Sequence, residues 1–285
     1  MQRCASAALL RCALTPTRLC SAAFLRFYAQ KTVRYTGPHR HAAPSNERLM
    51  KLIAFTSLKG GAGKSTALMA AASILVEAGR RIACFEADDN KPLSAWRGNG
   101  LAAKTWDDNC RLYAAFDTDQ FAKAVEQAMA DGCEIGLIDT RGGGSDLNQT
   151  ILLNSDVTVI PTNLSVMELD EALQTLQYVI EVHQAAGMDG AYGLLINRIP
   201  TTALSRMEQE NLDTLSTMPL FETTLPTRRA YADIKALGHL HLHHRLLMTR
   251  PEKRVMANHI RMALTEARKF TAELLDAANA SNRAA

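Results

Sequence analysis

The chain has 285 residues, 47% of them apolar and 21% charged, a balance typical of globular proteins that bury a sizeable core. It has no run of 18 apolar residues and no CxxC pair among its six cysteines, which argues against a membrane-spanning helix, a zinc knuckle and a surface iron–sulfur site. The net charge of +3 divides into +7 for residues 1–49, −10 for residues 50–226 and +6 for residues 227–285. The C-terminal fifth is therefore the candidate contact for a polyanion, and a solvated basic helix is the alternative.

The first 49 residues differ in composition from the rest of the chain. Residues 1–46 contain no acidic residue, and arginines interrupt a background of Ala, Leu, Ser and Cys. This composition is typical of a mitochondrial transit peptide. However, Met50 stands directly before the first apolar run, and a start of translation at Met50 is the favoured alternative. In either case the segment lacks apolar periodicity, and we expect it to be disordered.

From Met50 onward, short apolar runs alternate with stretches of helical periodicity, which predict strands and helices respectively. The predicted strands are Lys51–Ser57, Arg81–Phe85, Leu112–Ala115, Ile135–Ile138, Val157–Ile160, Leu194–Ile196 and Leu220–Thr224. The predicted helices are Thr66–Ala78, Phe121–Ala130, Val166–Ala186, Leu204–Leu215, Ala230–Leu237 and Val255–Ala278. Strands joined by helices of this length pair in parallel, so we predict one α/β domain at 50–285, a doubly wound, mostly parallel sheet with helices on both faces.

The strongest chemical signal is the glycine-rich segment between the first strand and the first helix. It comprises Lys59, Gly60, Gly61, Ala62, Gly63, Lys64, Ser65 and Thr66. Glycine lets successive backbone N–H groups surround a phosphate, and the N-terminus of the following helix adds partial positive charge. Lys64 is expected to neutralise the β- and γ-phosphates of ATP, Ser65 to ligate Mg²⁺ and Thr66 to bond the α-phosphate. The usual phosphate-loop pattern has glycine where this chain has Leu58, and a second lysine precedes the glycines instead.

Polar side chains at the ends of three later strands support a nucleotide site. Glu86 and Asp88 end the second predicted strand, Asp139 ends another, and Asn197 follows Leu194–Ile196. The carboxyl ends of parallel strands converge on a ligand crevice. We therefore expect Asp139 to belong to the Mg²⁺ shell, Asp88 to orient the attacking water and Asn197 to bond the adenine edge. A helix cap is the alternative for the carboxylates, and an ordinary turn is the alternative for the asparagine.

Together these residues resemble the ParA/MinD family of deviant-Walker ATPases, over most of residues 50–285. The resemblance implies that Lys59 reaches across an ATP-sandwiched homodimer to the phosphates of the partner. It also implies that Asp88 is the catalytic carboxylate and that Asn197 contacts the base. Glu86 stands where the family usually has aspartate. Its longer side chain is still expected to reach the metal shell, but the rate of turnover is left open.

A closer likeness lies in the segments Glu86–Trp96, Asp139–Asn148 and Met167–Leu173, which are similar to the VirC-type ATPases of agrobacterial T-DNA transfer. That likeness implies ATP-dependent binding to DNA near a transfer origin and recruitment of the relaxase to the secretion channel. The implied location is the bacterial cytoplasm, often at a cell pole, or the mitochondrion only if residues 1–49 are a transit peptide. The alternatives are a plasmid or chromosome partition ATPase, an iron–sulfur cluster carrier, which the missing CxxC disfavours, and an ATP-gated scaffold with little turnover.

The C-terminal region gives weaker signals. Arg228, Arg229 and Arg254 are the candidate contacts to DNA phosphates, and a solvated basic face is the alternative. The histidine-rich segment 238–244 has no neighbouring carboxylate or cysteine, so we expect an exposed turn rather than a metal site. The alanine-rich end, residues 274–279, predicts a weak surface helix, with at most peripheral contact to a membrane.

Overall fold

The computed structural model describes residues 50–283, with side chains up to Ala280, and the predictions for residues 1–49 lie outside the described residues. The strands are β1 Lys51–Phe55, β2 Ile82–Ala87, β3 Cys110–Ala114, β4 Ile135–Thr140, β5 Val157–Thr162, β6 Tyr192–Ile199 and β7 Leu225–Pro226. The helices are α1 Lys64–Glu77, α2 Pro92–Ala102, α3 Thr118–Ala130, α4 Asp146–Asn154, α5 Val166–Ala185, α6 Arg206–Leu215, α7 Arg229–Ala232, α8 Ile234–Leu237, α9 Leu240–Met248 and α10 Arg254–Arg283. A single 3₁₀ turn, Pro251–Lys253, joins α9 to α10.

The strands form one seven-stranded sheet in the order β3-β2-β4-β1-β5-β6-β7. Every strand pair in this sheet is parallel. The doubly wound parallel sheet predicted from the sequence is therefore confirmed. Strand β1 lies between β4 and β5, so the loop that follows β1 opens where the chain order reverses, which is the position of ligand crevices in open α/β sheets.

Two separate apolar cores cover the two faces of the sheet. On one face, α1 and α10 pack together with Trp96 of α2, and buried residues include Leu68, Leu75, Leu264 and Phe270. On the other face, α3 and α4 pack on β1, β2 and β4. Helix α1 is buried almost all round because the sheet lies on one side and α10 on the other. The phosphate loop therefore leads into a helix that is enclosed by the sheet on one side and by α10 on the other.

The C-terminal helix α10 is part of the core. The prediction that its end, residues 274–279, forms a weak surface helix was therefore wrong. The buried residues of α10 recur every three or four positions: Ala257, Ile260, Ala263, Leu264, Ala267, Phe270, Thr271, Leu274 and Ala278. Full burial of a side chain such as Phe270 contributes roughly 1.5–3 kcal/mol. The alanines carry little apolar area, but they let α10 approach α1 closely. A composition poor in bulky residues thus concealed a packed helix.

Four other elements differ from the sequence predictions. Helices α2 and α4 were not predicted, since each buries only a few residues and depends on its N-terminal contacts. The last strand is Leu225–Pro226 rather than Leu220–Thr224, where Leu220 forms only an isolated bridge. The helix predicted at 230–237 is divided into α7 and α8 at Asp233. The two-residue strand and the four-residue helices have too few residues for periodicity to reveal them.

The histidine-rich segment is also different from its prediction. It forms helix α9 rather than an exposed turn, and His239 and His241 are buried. The His239 ring lies 4.6 Å from that of Trp96 and 4.7 Å from that of Trp106, measured between centroids. Burial lowers the pKa of His239 to about 3, so its ring is neutral. Residues 50–283 contain no group of histidines, cysteines or carboxylates arranged for a metal ion, and none of their helices is long and apolar enough to cross a membrane.

Candidate nucleotide site

The loop between β1 and α1 has the backbone of a phosphate-binding nest. Gly61 and Gly63 have φ of +98° and +96°, in the left-handed region, and α1 begins directly afterwards at Lys64. A Cβ atom on Gly63 would lie 2.7 Å from the Asn197 amide nitrogen, so only glycine fits there. The loop thus combines the torsions, the close approach and the helix N-terminus that the sequence predicted for phosphate binding.

Lys64 is buried beneath this loop. Its ammonium group donates a hydrogen bond to Ser57 Oγ at 3.2 Å and lies 3.5 Å from the Lys59 carbonyl oxygen. Burial lowers the pKa of Lys64, while the carboxylates of Asp139 and Asp88 oppose that shift. No carboxylate of the described chain pairs directly with this ammonium group. An anionic ligand would strongly stabilise a buried cation that has no ion pair of its own.

Ser65 and Asp139 form the second part of the site. Ser65 Oγ donates to Asp139 Oδ2 at 2.5 Å. The carboxyl group is completely buried, and its other oxygen, Oδ1, has no hydrogen-bond partner. Burial raises the pKa of Asp139 to about 7. Oxygen donors with one buried atom unsatisfied fit Mg²⁺, which prefers carboxylate and hydroxyl oxygens together with water.

Asp88 lies immediately after β2, half-buried, at the same edge of the sheet. Its Oδ1 accepts hydrogen bonds from the backbone and side-chain nitrogens of Asn90, at 2.9 and 3.0 Å. It lies close enough to Lys64 and Asp139 to affect the pKa of each. The three predicted residues Lys64, Asp88 and Asp139 are therefore brought together, as the sheet topology requires.

Glu86 has a different environment from the one expected. Its Oε1 accepts from the backbone N–H groups of Leu93 and Ser94, at 2.7 and 2.9 Å, and its Oε2 accepts from the Ser94 hydroxyl. These donors belong to the first turn of α2, so the buried carboxylate caps that helix. The structure therefore agrees with the alternative that this carboxylate is a helix cap. Glu86 could join the metal shell only if these hydrogen bonds were broken. The extra methylene of glutamate gives it the reach to α2.

Lys59 lies at the rim, with its side chain 67% exposed, and it forms an ion pair with Glu171 of α5. Both residues line a small cavity together with Met167. Val166 and Met167, at the start of α5, are 50% and 76% exposed. The lysine expected to serve a second subunit is therefore held by its own chain, beside exposed apolar side chains.

A cavity of about 270 Å³ opens on the other side of the phosphate loop. Asn197 lies in its wall, where its Nδ2 donates to the Ala62 carbonyl oxygen at 3.3 Å and its Oδ1 is buried without a partner. Thr66, Leu225 and Tyr231 also line it. An apolar cleft with one unsatisfied amide oxygen next to a phosphate loop is suited to a purine base that carries an amino group.

Sequence reasoning missed two arginines near the site, one that contacts the phosphate loop and one that joins two neighbouring loops. Arg198 donates from Nη2 to the Gly61 carbonyl oxygen at 2.6 Å, and Arg141 pairs with Asp89 at 3.3 Å. The Arg141–Asp89 pair joins the loops after β4 and β2. Glu171, the partner of Lys59, was also missed. A single arginine beside a turn asparagine has no distinctive sequence signal, because the contact depends on how β6 approaches the loop.

The three arginines predicted to contact DNA separate into two groups. Arg228 forms a two-pronged ion pair with Glu266 of α10, with Nε–Oε2 at 2.6 Å, and is only 16% exposed. Its guanidinium group is therefore occupied within the fold, and its contact with DNA stays a prediction. Arg229 is 93% exposed and pairs with Asp233 at 3.1 Å, while Arg254 is exposed at the start of α10.

Comparison with known proteins places the chain among specific relatives. A sequence model of the VirC1 protein family matches residues 50–280. The chain is 39% identical to Protein virC1 of Rhizobium rhizogenes and 38% identical to Protein virC1 of Rhizobium radiobacter. Each of these two alignments spans 217 residues, 76% of this chain and 94% of the relative. Protein ParA of Rhizobium radiobacter is 23% identical over 150 residues, 53% of this chain and 65% of that protein.

Solved structures share the fold at low sequence identity. The MinC:MinD cell division complex of Aquifex aeolicus matches with a TM-score of 0.52 and 19% identity, over 74% of this chain and 95% of that chain. The ATP complex of a Cyanothece McdA variant matches with a TM-score of 0.55 and 14% identity, over 77% of this chain and 96% of that chain. At these identities the structural likeness shows the fold alone.

Proposed function

The chain belongs to the VirC1 protein family, and we propose that it is an ATP-dependent, DNA-associated switch ATPase that acts in DNA transfer. The observation that carries this proposal is the arrangement at the end of β1. A buried, unpaired Lys64 lies under a glycine nest, next to a bonded Ser65–Asp139 pair with one unsatisfied carboxyl oxygen. A buried cation beside a carboxyl and a hydroxyl group suits an anionic ligand together with a divalent cation, which is the chemistry of Mg²⁺–ATP.

In the proposed reaction, water attacks the γ-phosphorus of ATP, the bond to the β–γ bridging oxygen breaks, and ADP and phosphate form. The loop N–H groups and Lys64 bind the β- and γ-phosphates, and Asp88 orients the water. Ser65 and Asp139 would hold Mg²⁺, which supplies positive charge to the phosphate oxygens when bound. Asn197 contacts the base. We expect slow turnover, as suits a switch.

The ATP-bound form is proposed to be a homodimer. Lys59 lies at the exposed rim, so it can reach the phosphates of a second subunit once its ion pair with Glu171 opens. An ion pair with an exposed lysine is worth at most about 1 kcal/mol, which a phosphate contact readily exceeds. Val166 and Met167, exposed beside this pair, would be covered by the second copy.

DNA is proposed to bind at the α9–α10 patch, which we define as the exposed arginines Arg245, Arg250, Arg254 and Arg261. None of the four forms an ion pair with a described residue, so their charges are available to phosphates. Arg229 can add a fifth contact if it leaves Asp233. The partners implied by family membership are a relaxase or other transfer-complex proteins, in the bacterial cytoplasm and at a cell pole.

The proposal is tested by DNA binding of the full chain in the presence of ATP or ADP with Mg²⁺. Duplexes with and without a transfer-origin enhancer are compared at several salt concentrations, and the oligomeric state is followed by light scattering. ATP-dependent dimerisation and binding with a preference for the enhancer are expected. The Lys64→Ala variant should neither dimerise on ATP nor bind DNA in an ATP-dependent manner.

Two further variants define the DNA surface. Replacing both Arg250 and Arg254 with alanine should reduce the slope of log K against log salt concentration by about two. The reason is that each contact to a phosphate releases about one counterion. Arg206→Ala, which removes a 93% exposed arginine from α6, is the matched control. Binding without sequence preference would favour the partition alternative, and ATP-driven dimers that bind no DNA would favour a protein scaffold.

A further inference from the structure

Two consecutive residues of β6 hold two consecutive carbonyl groups of the phosphate loop. Asn197 Nδ2 donates to the Ala62 oxygen at 3.3 Å, and Arg198 Nη2 donates to the Gly61 oxygen at 2.6 Å. Both contacts come from the end of the strand that lies two positions from β1 in the sheet. They therefore fix the orientation of two adjacent peptide planes in the loop.

This orientation matters for phosphate binding. In a trans peptide the C=O and N–H bonds point in opposite directions, and no cis peptide is present in the described residues. When the Gly61 carbonyl points to Arg198, the N–H group of Ala62 must point the other way. The same holds for the Ala62 carbonyl and the N–H group of Gly63. Holding the carbonyls outside presents these N–H groups to the inside of the nest.

Arg198 has an unusual backbone for this purpose. Its φ is +53°, in the left-handed region that arginine rarely adopts, and the pairing of β6 with β7 is irregular at this residue. The Thr227 hydroxyl donates to the Arg198 carbonyl oxygen at 2.9 Å, and Thr227 N–H donates to the Ile199 oxygen at 2.8 Å. The bulge turns the arginine side chain toward the loop.

The charge of Arg198 is also unlike that of its neighbour on the same cavity. Arg228 is neutralised by Glu266, whereas Arg198 forms no ion pair with any described residue. The exposed guanidinium group of Arg198 bonds a backbone carbonyl and not a carboxylate. Its positive charge next to the phosphate loop is therefore not neutralised.

We propose that Arg198 is a positioning residue for the nucleotide phosphates: it holds the Gly61 carbonyl outward, so that the loop N–H groups are pre-oriented for an anionic ligand. This role rests on the proposed function, since it deepens the assignment of the loop to ATP. The energetic gain is preorganisation, because a loop that is already oriented loses less freedom on binding. Arg198 acts through the loop and takes no part in the chemical step.

The test compares Arg198→Gly with Arg198→Ala in the full chain. Glycine accepts the positive φ, so Arg198→Gly relieves the backbone while it removes the guanidinium. We expect its melting temperature to be no lower than that of the wild type, while its Kd for ATP rises about tenfold, the effect of one lost charged hydrogen bond. A merely structural role would move stability and affinity in the same direction. Arg198→Ala should show the same loss of affinity, and Arg198→Lys, which keeps one donor, should recover part of it.

Competition against a fluorescent ATP analogue then shows whether the loss of affinity concerns the phosphates or the base of the nucleotide. Inorganic tripolyphosphate should lose affinity by the same factor as ATP, and adenosine should be unaffected. Arg198→Gly protein that binds ATP within twofold of the wild type would overturn the role, and so would an equal loss for adenosine. The wild-type protein decides the underlying assumption separately: if it bound no ATP, the proposed function itself would fail.

Discussion

The phosphate end of the sheet and the α9–α10 patch are both rich in charge, but they organise it in opposite ways. At the phosphate end Lys64 and Asp139 are buried, and each of them is close to a charge or a hydroxyl that changes its pKa. In the patch, Arg250 and Arg254 are exposed and unpaired among the described residues. The first region specifies one ligand geometry, while the second specifies only a sign of charge.

This difference separates two kinds of functional inference. A buried polar group without a partner costs free energy, so the fold retains it only with a compensating ligand or role. An exposed arginine costs almost nothing, and it is compatible with DNA, an acidic protein or solvent alone. Arg228 illustrates the point, since it had the same sequence signal as Arg254 but is held by Glu266. The comparison predicts large, specific effects at the phosphate end and small, graded effects in the patch.

The largest expected effect is at Asp88. Replacing Asp88 with alanine should lower the rate constant of ATP hydrolysis by at least about 100-fold, because a positioned carboxylate that orients the water typically contributes 10²–10⁴-fold. The Kd for ATP should change by less than about threefold, since the proposed partner of the carboxylate is the attacking water and not the phosphates. Single-turnover hydrolysis and equilibrium binding measure the two quantities. Asp119→Ala, an exposed carboxylate in the first turn of α3, is the control. Equal, measurable rates for both variants would show that Asp88 does not orient the water, whereas negligible hydrolysis by the wild type and both variants would support the ATP-gated scaffold.

The next effect contrasts Arg228 with Arg254. Arg228→Ala leaves Glu266 half-buried without its partner and should lower the free energy of unfolding by about 2–3 kcal/mol. Arg254→Ala should change it by less than about 0.5 kcal/mol, because the residue is exposed and unpaired. Thermal and urea unfolding give both values. Adding Glu266→Gln to Arg228→Ala should restore part of the lost stability. If Arg254 proved as important for stability as Arg228, the distinction between buried, paired charges and exposed, unpaired charges would be lost.

The smallest expected effect is the release of a fraction of a proton from Asp139 when Mg²⁺–ATP binds. Its pKa of about 7 means that roughly half of the carboxyl groups are protonated at pH 7. Binding of Mg²⁺–ATP requires the charged form, so it should release about half a proton at pH 7, close to one at pH 5.5 and almost none at pH 8.5. Calorimetry in buffers of different ionisation enthalpy measures this release. Release that was the same in Asp139→Asn would show that another group is responsible.

The same pKa has a consequence for stability without nucleotide. A carboxyl group whose folded pKa is raised favours the folded state below its unfolded pKa of about 3.9, and this contribution is lost as pH rises through about 7. The stability of the nucleotide-free protein should therefore fall over this range more than that of Asp139→Asn. Mg²⁺–ATP should reverse the trend at pH 7 and above.

Much of the site was predictable because its residues are local in sequence. The loop from Lys59 to Thr66 is contiguous, and Asp88, Asp139 and Asn197 each lie at or just after the C-terminal end of a parallel strand. Glu86 was the exception among the strand ends. Its alternation along β2 did not reveal which neighbour its carboxylate would reach, and the reach was decided by α2, a helix too weakly patterned to predict.

The sequence by itself determined the parallel sheet and the phosphate loop, because they follow from apolar periodicity and a contiguous motif, and it indicated the family through its resemblance to known proteins. The tertiary structure alone decided the partners of the charged side chains. Lys59 with Glu171, Arg198 with the Gly61 carbonyl and Arg228 with Glu266 are separated in the chain by 112, 137 and 38 positions. The charge of a side chain is known from its residue type alone. Its role depends on its partner, and that partner is set by the packing of helices and strands that are distant in the sequence.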